Sequence, residues 1–408
     1  MIATPLPAPR ERELLIVAVE ASADLHGASV LEALRALRPG LRAFGAAGPR
    51  MRAAGCEALV RAEDLSVMGF AEVIPAIPRI LRALSTLRRA AKERRPGAAL
   101  LIDSPDFNLR LARKLRGMGV PVVYFIGPSV WAWRTYRVRQ IARDVLRMLV
   151  ILPFEAAFYA RHGVRAVYVG NPLADEMRGL LPPAASESAA ASEPPAEGRA
   201  ALRRKLGLDP ARPVLALLPG SRAQEIRRLW GPLLGAARLL LAERPGLQFV
   251  VPVAPTLPRA LLEEQADRTG VPITWVDGRA PEALASADAA AVASGTAALE
   301  AALAQVPSVV VYRMSWLSWL GVRLLVRIRF AALPNLLAGR ALVPELLQRD
   351  CNSERIAAEL AGLLDGGPAR DAQLAGLRGL RDELAPPGSA SAARKAAEEL
   401  LAVLEAPA

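Results

Sequence analysis

Leu217-Leu218-Pro219-Gly220-Ser221-Arg222 is the stretch on which the fold turns. An apolar run over 214–218 stops at Pro219-Gly220, and a long helical pattern follows over 224–243. Gly220 permits the tight turn this needs. The helix start presents unbonded N–H groups and the positive end of the dipole, which suits an anion. Ser221 adds a hydroxyl and Arg222 a forked cation matched to phosphate oxygens. The stretch therefore reads as a diphosphate site, with an ordinary capped strand-to-helix turn as the alternative. The GxxxxGK[ST] spacing of a Walker A loop is absent.

The same strand-then-helix grammar extends in both directions. Upstream, strands are expected at 14–19, 42–47, 98–102, 120–126, 145–152 and 166–169, with a polar turn over 20–27 and a helix from about Ala28. Downstream they are expected at 214–218, 248–253, 273–276, 289–293 and 308–312, and the last fifty or so residues read as helix. Between the two runs, residues 180–198 hold two Pro-Pro pairs among Ala, Ser and Glu, the composition of a linker. The expected organisation is an N-terminal Rossmann-like domain over 1–178, a linker over 179–199, a second Rossmann-like domain over 200–365, and C-terminal helices over 366–408 that pack back on the first domain. This is an α/β class with two Rossmann-like domains and a cleft between them, the GT-B architecture shared by glycosyltransferases, some epimerases and other enzymes. In such sheets ligands gather beyond the C-terminal strand ends.

Three further segments follow strands. Ser294-Gly295-Thr296 opens a helix and repeats the anion-binding logic, and Glu300, one turn on, suits ribose hydroxyls or else a solvated helix surface. Asp103-Ser104-Pro105-Asp106-Phe107-Asn108 ends an apolar strand with two carboxylates. Asp103, at the strand end, is the candidate general base, while Asp106 or Asn108 can cap the next helix. The first turn, Glu20-Ala21-Ser22-Ala23-Asp24, lacks GxGxxG, so a dinucleotide fingerprint is not supported; Glu20 is a further candidate carboxylate and Asp24 a candidate N-cap.

Two stretches mix apolar and basic residues. Residues 67–84 contain Met68, Phe70, Ile74, Ile77 and Leu81 with Arg79 and Arg82; residues 316–330 contain two Trp with Arg323, Arg327 and Arg329. Each is a core helix or a membrane-docking surface. The net charge of +12 rests almost wholly on Arg, and signifies a solvated surface or an anionic partner. No zinc-finger or RNP-like pattern points to nucleic acid. With His26 and His162 the only histidines, a His-rich metal site is excluded, and Cys56 and Cys351 form no CxxC. No stretch reaches 18 uncharged apolar residues, and the start lacks a signal-peptide pattern, so a cytoplasmic protein is expected.

Taken in order, these strings resemble the lipid-A-disaccharide synthases from about Leu14 to Gln348. The resemblance includes Gly48-Pro49-Arg50-Met51, Val67-Met68-Gly69, 103–108, Pro128-Ser129-Val130-Trp131-Ala132-Trp133-Arg134 and Leu152-Pro153-Phe154-Glu155. It continues through 219–222, 294–300, Tyr312-Arg313 and 333–340. It implies a metal-independent, cofactor-free transfer of 2,3-diacylglucosamine from UDP to 2,3-diacylglucosamine 1-phosphate, with a β(1→6) bond. It also implies a protein held peripherally on the inner membrane. By the same resemblance Asp103 is the base, Gly220, Ser221, Arg222, Ser294, Gly295, Thr296 and Glu300 serve the nucleotide, and Arg313 and Asn335 adjoin it. Ser22, Asp24, Met68, Phe70, Ile74, Ile77, Leu81, Asn108 and Asn171 are then assigned to the acceptor or lipid side. Val19 and Ala23 stand where the family's first turn commonly has glycines, and Asn171 where it often has His, which removes a proton shuttle there. A UDP-sugar 2-epimerase and a non-catalytic lipid- or nucleotide-binding protein are the alternatives; the first needs no acyl-binding surface, and turnover separates the second.

Overall fold

The computed structural model describes residues 13–65, 70–132, 135–178, 196–316, 319–321, 329–386 and 388–406, with backbone alone for 70–76 and 196–197. Two compact units emerge: Met1–Pro172 with Ala390–Ala408, and Leu173–Ser389.

The first unit is built on seven strands: β1 (Leu14–Val17), β2 (Ala43–Ala47), β3 (Glu57–Arg61), β4 (Ala98–Ile102), β5 (Val122–Phe125), β6 (Arg147–Val150) and β7 (Ala166–Tyr168). Their order is β3-β2-β1-β4-β5-β6-β7, with every pairing parallel. The second unit has six: β8 (Val214–Leu218), β9 (Gln248–Val253), β10 (Ile273–Asp277), β11 (Ala289–Ala293), β12 (Ser308–Tyr312) and β13 (Glu345–Leu347). Their order is β10-β9-β8-β11-β12-β13, again parallel. Both sheets are doubly wound, as the alternation predicts.

Period-two burial on both faces explains why these strands read as unbroken apolar runs. Leu15 and Val17 enter one core and Leu14 and Ile16 another. In the second unit Val214, Ala216 and Leu218 face one core and Leu215 and Leu217 the other.

Several expectations are corrected. The first helix starts at Ala21, not near Ala28, with Glu20 extended at the N-cap. Gly27 is a packing glycine inside that helix: a Cβ there meets Met51 Sδ at 2.5 Å. Val19 and Ala23 are buried, and neither has positive φ, so their replacement of glycine strains nothing. Edge strands β3 and β13 were not expected, being short and bounded by charge. The C-terminal 366–408 segment divides: Leu377, Leu380 and Leu384 of the helix Pro368–Leu384 join the second unit's core, while Ala396, Leu400 and Leu404 of Ala392–Glu405 join the first unit's. At the other boundary, Ala174 and Met177 of the helix Pro172–Arg178 also pack in the second unit, so that helix leaves the expected 1–178 domain. Most of the expected linker, 179–195, lies outside the described residues.

Candidate active site and nucleotide site

Strand order reverses between β1 and β4 in the first sheet and between β8 and β11 in the second. Such switch points open a crevice beyond the C-terminal strand ends. Glu20 and Asp103 follow the first pair, and Arg222 and Ser294 the second. Register levels them: Val17 lies beside Leu101, and Val292 beside Leu218.

Asp103 and Ser104 both adopt left-handed backbone, at φ 51° and 43°. For residues other than glycine this costs about 1–3 kcal/mol each and persists only where the surroundings over-determine it. Here they do. Tyr124 Oη donates to Asp103 O at 2.5 Å, and Asn108 Nδ2 to the same oxygen at 2.8 Å and to Ile102 O at 3.0 Å. Asp103 N donates to Phe125 O at 3.0 Å. The strained corner holds a half-buried carboxyl immediately after the strand end. Burial raises its pKa above the usual Asp range; the Ser104 N–H opposes this, and the charge of Glu20 adds to it. A carboxylate made more basic in this way is suited to accept a proton.

The other carboxylates of this corner sort differently. Glu20 is exposed and accepts from Ser104 Oγ at 2.9 Å. Asp106 is largely solvated and pairs with Arg137 at 2.5 Å. Neither Asp106 nor Asn108 caps the helix Pro105–Arg116; its N-cap is Ser104, without a side-chain cap bond. Asn108 is fully buried beneath the corner, so it supports Asp103 and does not face a lipid. Asp24 is likewise corrected. It is buried, and its carboxylate accepts from the N–H groups of Gly48, Arg50 and Met51 at 2.8, 2.9 and 3.1 Å, capping the next helix, Pro49–Ala53. Ser22 is exposed on the first helical turn. Asn171 is buried and donates to Ile151 O at 3.2 Å, bracing the end of β6.

Two residues at this sheet end escaped the residue-level reading. Trp131 follows β5 and Glu155 follows β6. Trp131 Nε1 donates to the buried Glu155 at 3.0 Å, and Leu152 N at 3.1 Å. Trp131 meets Phe154 edge-on with ring centres 5.1 Å apart. Burial pushes the Glu155 carboxyl up to about 7 against those hydrogen bonds. The Trp-rich and Pro-Phe-Glu strings were the available signal.

At the second switch point, Gly220 has φ 107°, and a Cβ there meets Glu225 Oε2 at 2.3 Å. That carboxylate accepts from Ser221 N at 3.1 Å and Arg222 N at 3.3 Å, and from Arg222 Nη1 at 3.0 Å. The N–H groups expected to be open to a diphosphate are thus already answered by Glu225. What this turn presents outward is the Arg222 guanidinium, whose side chain is 80% exposed. The opposing helix, Thr296–Leu303, is more open: its N-cap Gly295 provides no side-chain bond, and Gly295 and Thr296 are exposed. Ser294 Oγ donates to Ala331 O at 2.9 Å. Glu300 is half-buried, and burial, with Glu176 as the second cause, pushes its carboxyl up to about 7. Its two oxygens can accept from a pair of vicinal hydroxyls.

Arg313 follows β12, its Nε donating to Gln348 O at 3.1 Å. Asn335 does not present its amide to a ligand. It is buried, Nδ2 donates to Val343 O and Glu345 Oε1 at 2.9 and 2.8 Å, and Oδ1 accepts from Leu342 N and Val343 N at 2.7 and 2.8 Å. All four hydrogen-bonding positions are used, so the expected contact with the nucleotide is replaced by a structural role. Among the described residues no group of three or more His, Cys, Asp or Glu side chains is arranged to hold a metal ion.

Of the apolar-basic stretches, Met68 lies outside the described residues, and Phe70 and Ile74 are described by backbone alone. The helix Phe70–Arg94 divides by face. Ala83, Leu87, Ala90 and Ala91 are buried, whereas Ile77 and Leu81 are 45% and 54% exposed. Trp316 is 71% exposed, while 322–328, with Arg323 and Arg327, lie outside the described residues. No helix among the described residues is long and apolar enough to cross a membrane.

Comparison with known proteins agrees with this geometry. Solved structures with the same fold include a putative UDP-N-acetylglucosamine 2-epimerase from Listeria monocytogenes, with TM-score 0.61 and 12% identity, covering 97% of this chain and 96% of that one. A calicheamicin glycosyltransferase aligns with TM-score 0.58 and 17% identity over 98% and 100% of the two chains. At such identities only the GT-B fold is shared. Sequence relatives are far nearer. The lipid-A-disaccharide synthase of Anaeromyxobacter dehalogenans strain 2CP-C is 54% identical over 96% of this chain and 97% of its own. That of Myxococcus xanthus strain DK1622 is 50% identical over the same shares. The profile of the lipid-A-disaccharide synthetase family matches residues 14–398. With a full-length match to that family on a GT-B scaffold, the chain belongs to the lipid-A-disaccharide synthase family.

Proposed function

We infer that this protein is a glycosyltransferase that makes the lipid A disaccharide. It joins UDP-2,3-diacylglucosamine to 2,3-diacylglucosamine 1-phosphate, releasing UDP. The observation that carries the reading is 54% identity to a lipid-A-disaccharide synthase across 96% of the chain. The residue geometry supports the roles that follow.

UDP is held on the second unit. Its diphosphate engages Arg222 and the open helix start at Gly295-Thr296, and Glu300 engages the ribose. Binding draws the Arg222 guanidinium from Glu225. Asp103 takes the proton of the acceptor 6-hydroxyl while that oxygen attacks the anomeric carbon. The bond from that carbon to the diphosphate breaks, UDP leaves with its electron pair, and one displacement inverts the centre to β(1→6). Arg313 adjoins the nucleotide. Ile77 and Leu81, with the neighbouring positions of their helix, rest on the inner membrane, where both acylated substrates reside. Incubating the protein with both acylated sugars should release UDP and form disaccharide in equal amounts; absence of both products overturns the assignment.

Backbone dipole and Arg222 take the place of a divalent ion at the leaving group in this scheme. Turnover should therefore survive EDTA. Loss of activity on chelation, restored by Mg²⁺ or Mn²⁺, contradicts it.

Arg222→Ala should weaken UDP binding by about 1.5–3 kcal/mol, the worth of a hydrogen bond to a charged group. Its only side-chain partner among the described residues, Glu225, is a surface contact within the same helix start. Stability should change little. Calorimetry that finds unchanged UDP affinity removes Arg222 from the site.

A further inference from the structure

The opposite end of the first sheet holds a cavity unrelated to Asp103. The residues leading into β4, β5, β6 and β7, namely Gly97, Pro121, Leu146 and Arg165, line a cavity of about 1400 Å³. Strand β4, at roughly 3.3 Å per residue, separates it from the Asp103 corner by about 16 Å. Its charge is one-sided. Arg88, Arg89, Lys92 and Arg95 reach it from the helix Phe70–Arg94 and its end, and Arg147 and Arg165 from the sheet; among the described residues no carboxylate side chain lines it. Arg147 is paired with Glu399. Its buried Nε has no partner. None of the other five forms an ion pair among the described residues. Arg94, on the same helix, is by contrast doubly paired with Glu13 and Glu57.

A second cavity of about 420 Å³ shares Ser85 and Arg88 with the first and adds Arg110, Arg113 and Lys114, again without a carboxylate among the described residues. Apolar side chains interleave with these cations. Met118 and Leu146 line the larger cavity at 37% and 52% exposure, and Leu81 lines the smaller at 54%. Among the described residues no aromatic ring lines either one. Stacking platforms for nucleic-acid bases are therefore missing. Like charges gathered in a concavity focus the field onto an anion. Basic residues set among exposed aliphatics along one helix match the boundary between head groups and acyl chains.

We propose that this double basic trough binds the phosphate head groups of anionic phospholipids, seating the helix Phe70–Arg94 on the membrane. The proposal extends the membrane reading of Ile77 and Leu81 and is independent of which sugars are joined. It is tested by flotation with vesicles of phosphatidylglycerol and phosphatidylethanolamine, and with vesicles of phosphatidylcholine alone. The full-length protein should float with the anionic vesicles and be released by high salt. Each neutralised cation should lower that affinity about fivefold. Arg89→Gln with Lys92→Gln and Arg165→Gln should therefore lower it roughly a hundredfold, with unchanged thermal unfolding and unchanged turnover on detergent-dispersed substrates. Ile77→Ser with Leu81→Ser should weaken binding to both vesicle types.

Equal binding of the triple variant and the wild type to anionic vesicles overturns the proposal. So does loss of retention on RNA with vesicle binding intact, or tight binding of tripolyphosphate at the trough with no vesicle binding. A protein without turnover that still floats through these cations refutes the glycosyltransferase reading and leaves this one standing.

Discussion

Replacing Asp103 by asparagine should lower kcat by about 10²–10⁴, the usual share of general acid–base catalysis. The substitution keeps size and hydrogen bonding and removes only basicity. KM for both sugars should move little, because the corner is held through backbone atoms that asparagine retains: Asp103 O by Tyr124 and Asn108, and Asp103 N by Phe125. Asparagine also tolerates left-handed backbone better than most residues. The pH profile supplies a second reading. The base must be ionised to work, so kcat should fall as pH drops through the Asp103 pKa. Burial and then the Glu20 charge lift that pKa above the ordinary Asp range. Glu20→Gln removes a like charge and should shift the acid limb to lower pH. Should Asp103→Asn retain near-normal kcat while Asp106→Asn or Glu20→Gln abolishes it, the base is one of those carboxylates.

Asn335→Ala should destabilise the second unit by roughly 3 kcal/mol or more. It strands two N–H groups, a carbonyl and a share of the Glu345 carboxylate, and each buried group left unsatisfied costs about 1–3 kcal/mol. The affinity of the remaining folded protein for UDP should stay close to wild type, in contrast with Arg222→Ala. Thermal unfolding measured alongside calorimetry separates the two. A variant of normal stability that fails to bind UDP returns Asn335 to the nucleotide site. Local order depends on this one amide because it ties the helix Leu333–Ala338 to the backbone at 342–343 and to Glu345 in β13.

Doubly wound sheets were legible because buried parallel strands are apolar on both faces and stand out against amphipathic helices. Edge strands β3 and β13 were not, since Glu57 and Arg61, or Glu345, break the apolar run where one side of the strand meets no neighbour. The strand-end position of Asp103 and the helix-start position of Arg222 also followed from local sequence. Polar side chains whose partners lie outside their own helix were misread. Asp24 near the start of a helix looks like that helix's own cap, yet it caps a helix 24–27 residues later. Asn108 looks like a cap and is a buried support.

By itself the sequence determined the strand-helix alternation, the placement of candidate carboxylates and cations after strands, and membership of a family through its strings. These are properties of neighbouring residues, and local sterics and hydrophobic periodicity carry them. Only the tertiary structure decided which polar groups remain free for a ligand. Hydrogen-bond capacity is finite, and backbone outside their own helices had already claimed the Asp24 carboxylate, the Asn108 Nδ2 and the Asn335 amide. Glu225, brought over the glycine turn at Gly220, had claimed the N–H groups of Ser221 and Arg222. Folding likewise brought Arg165, from just before β7, to the row of Arg88, Arg89, Lys92 and Arg95 in one basin. The helical spacing of that row is local, but its meeting with Arg165 is not, because they come together only when the strand starts and the helix are packed side by side.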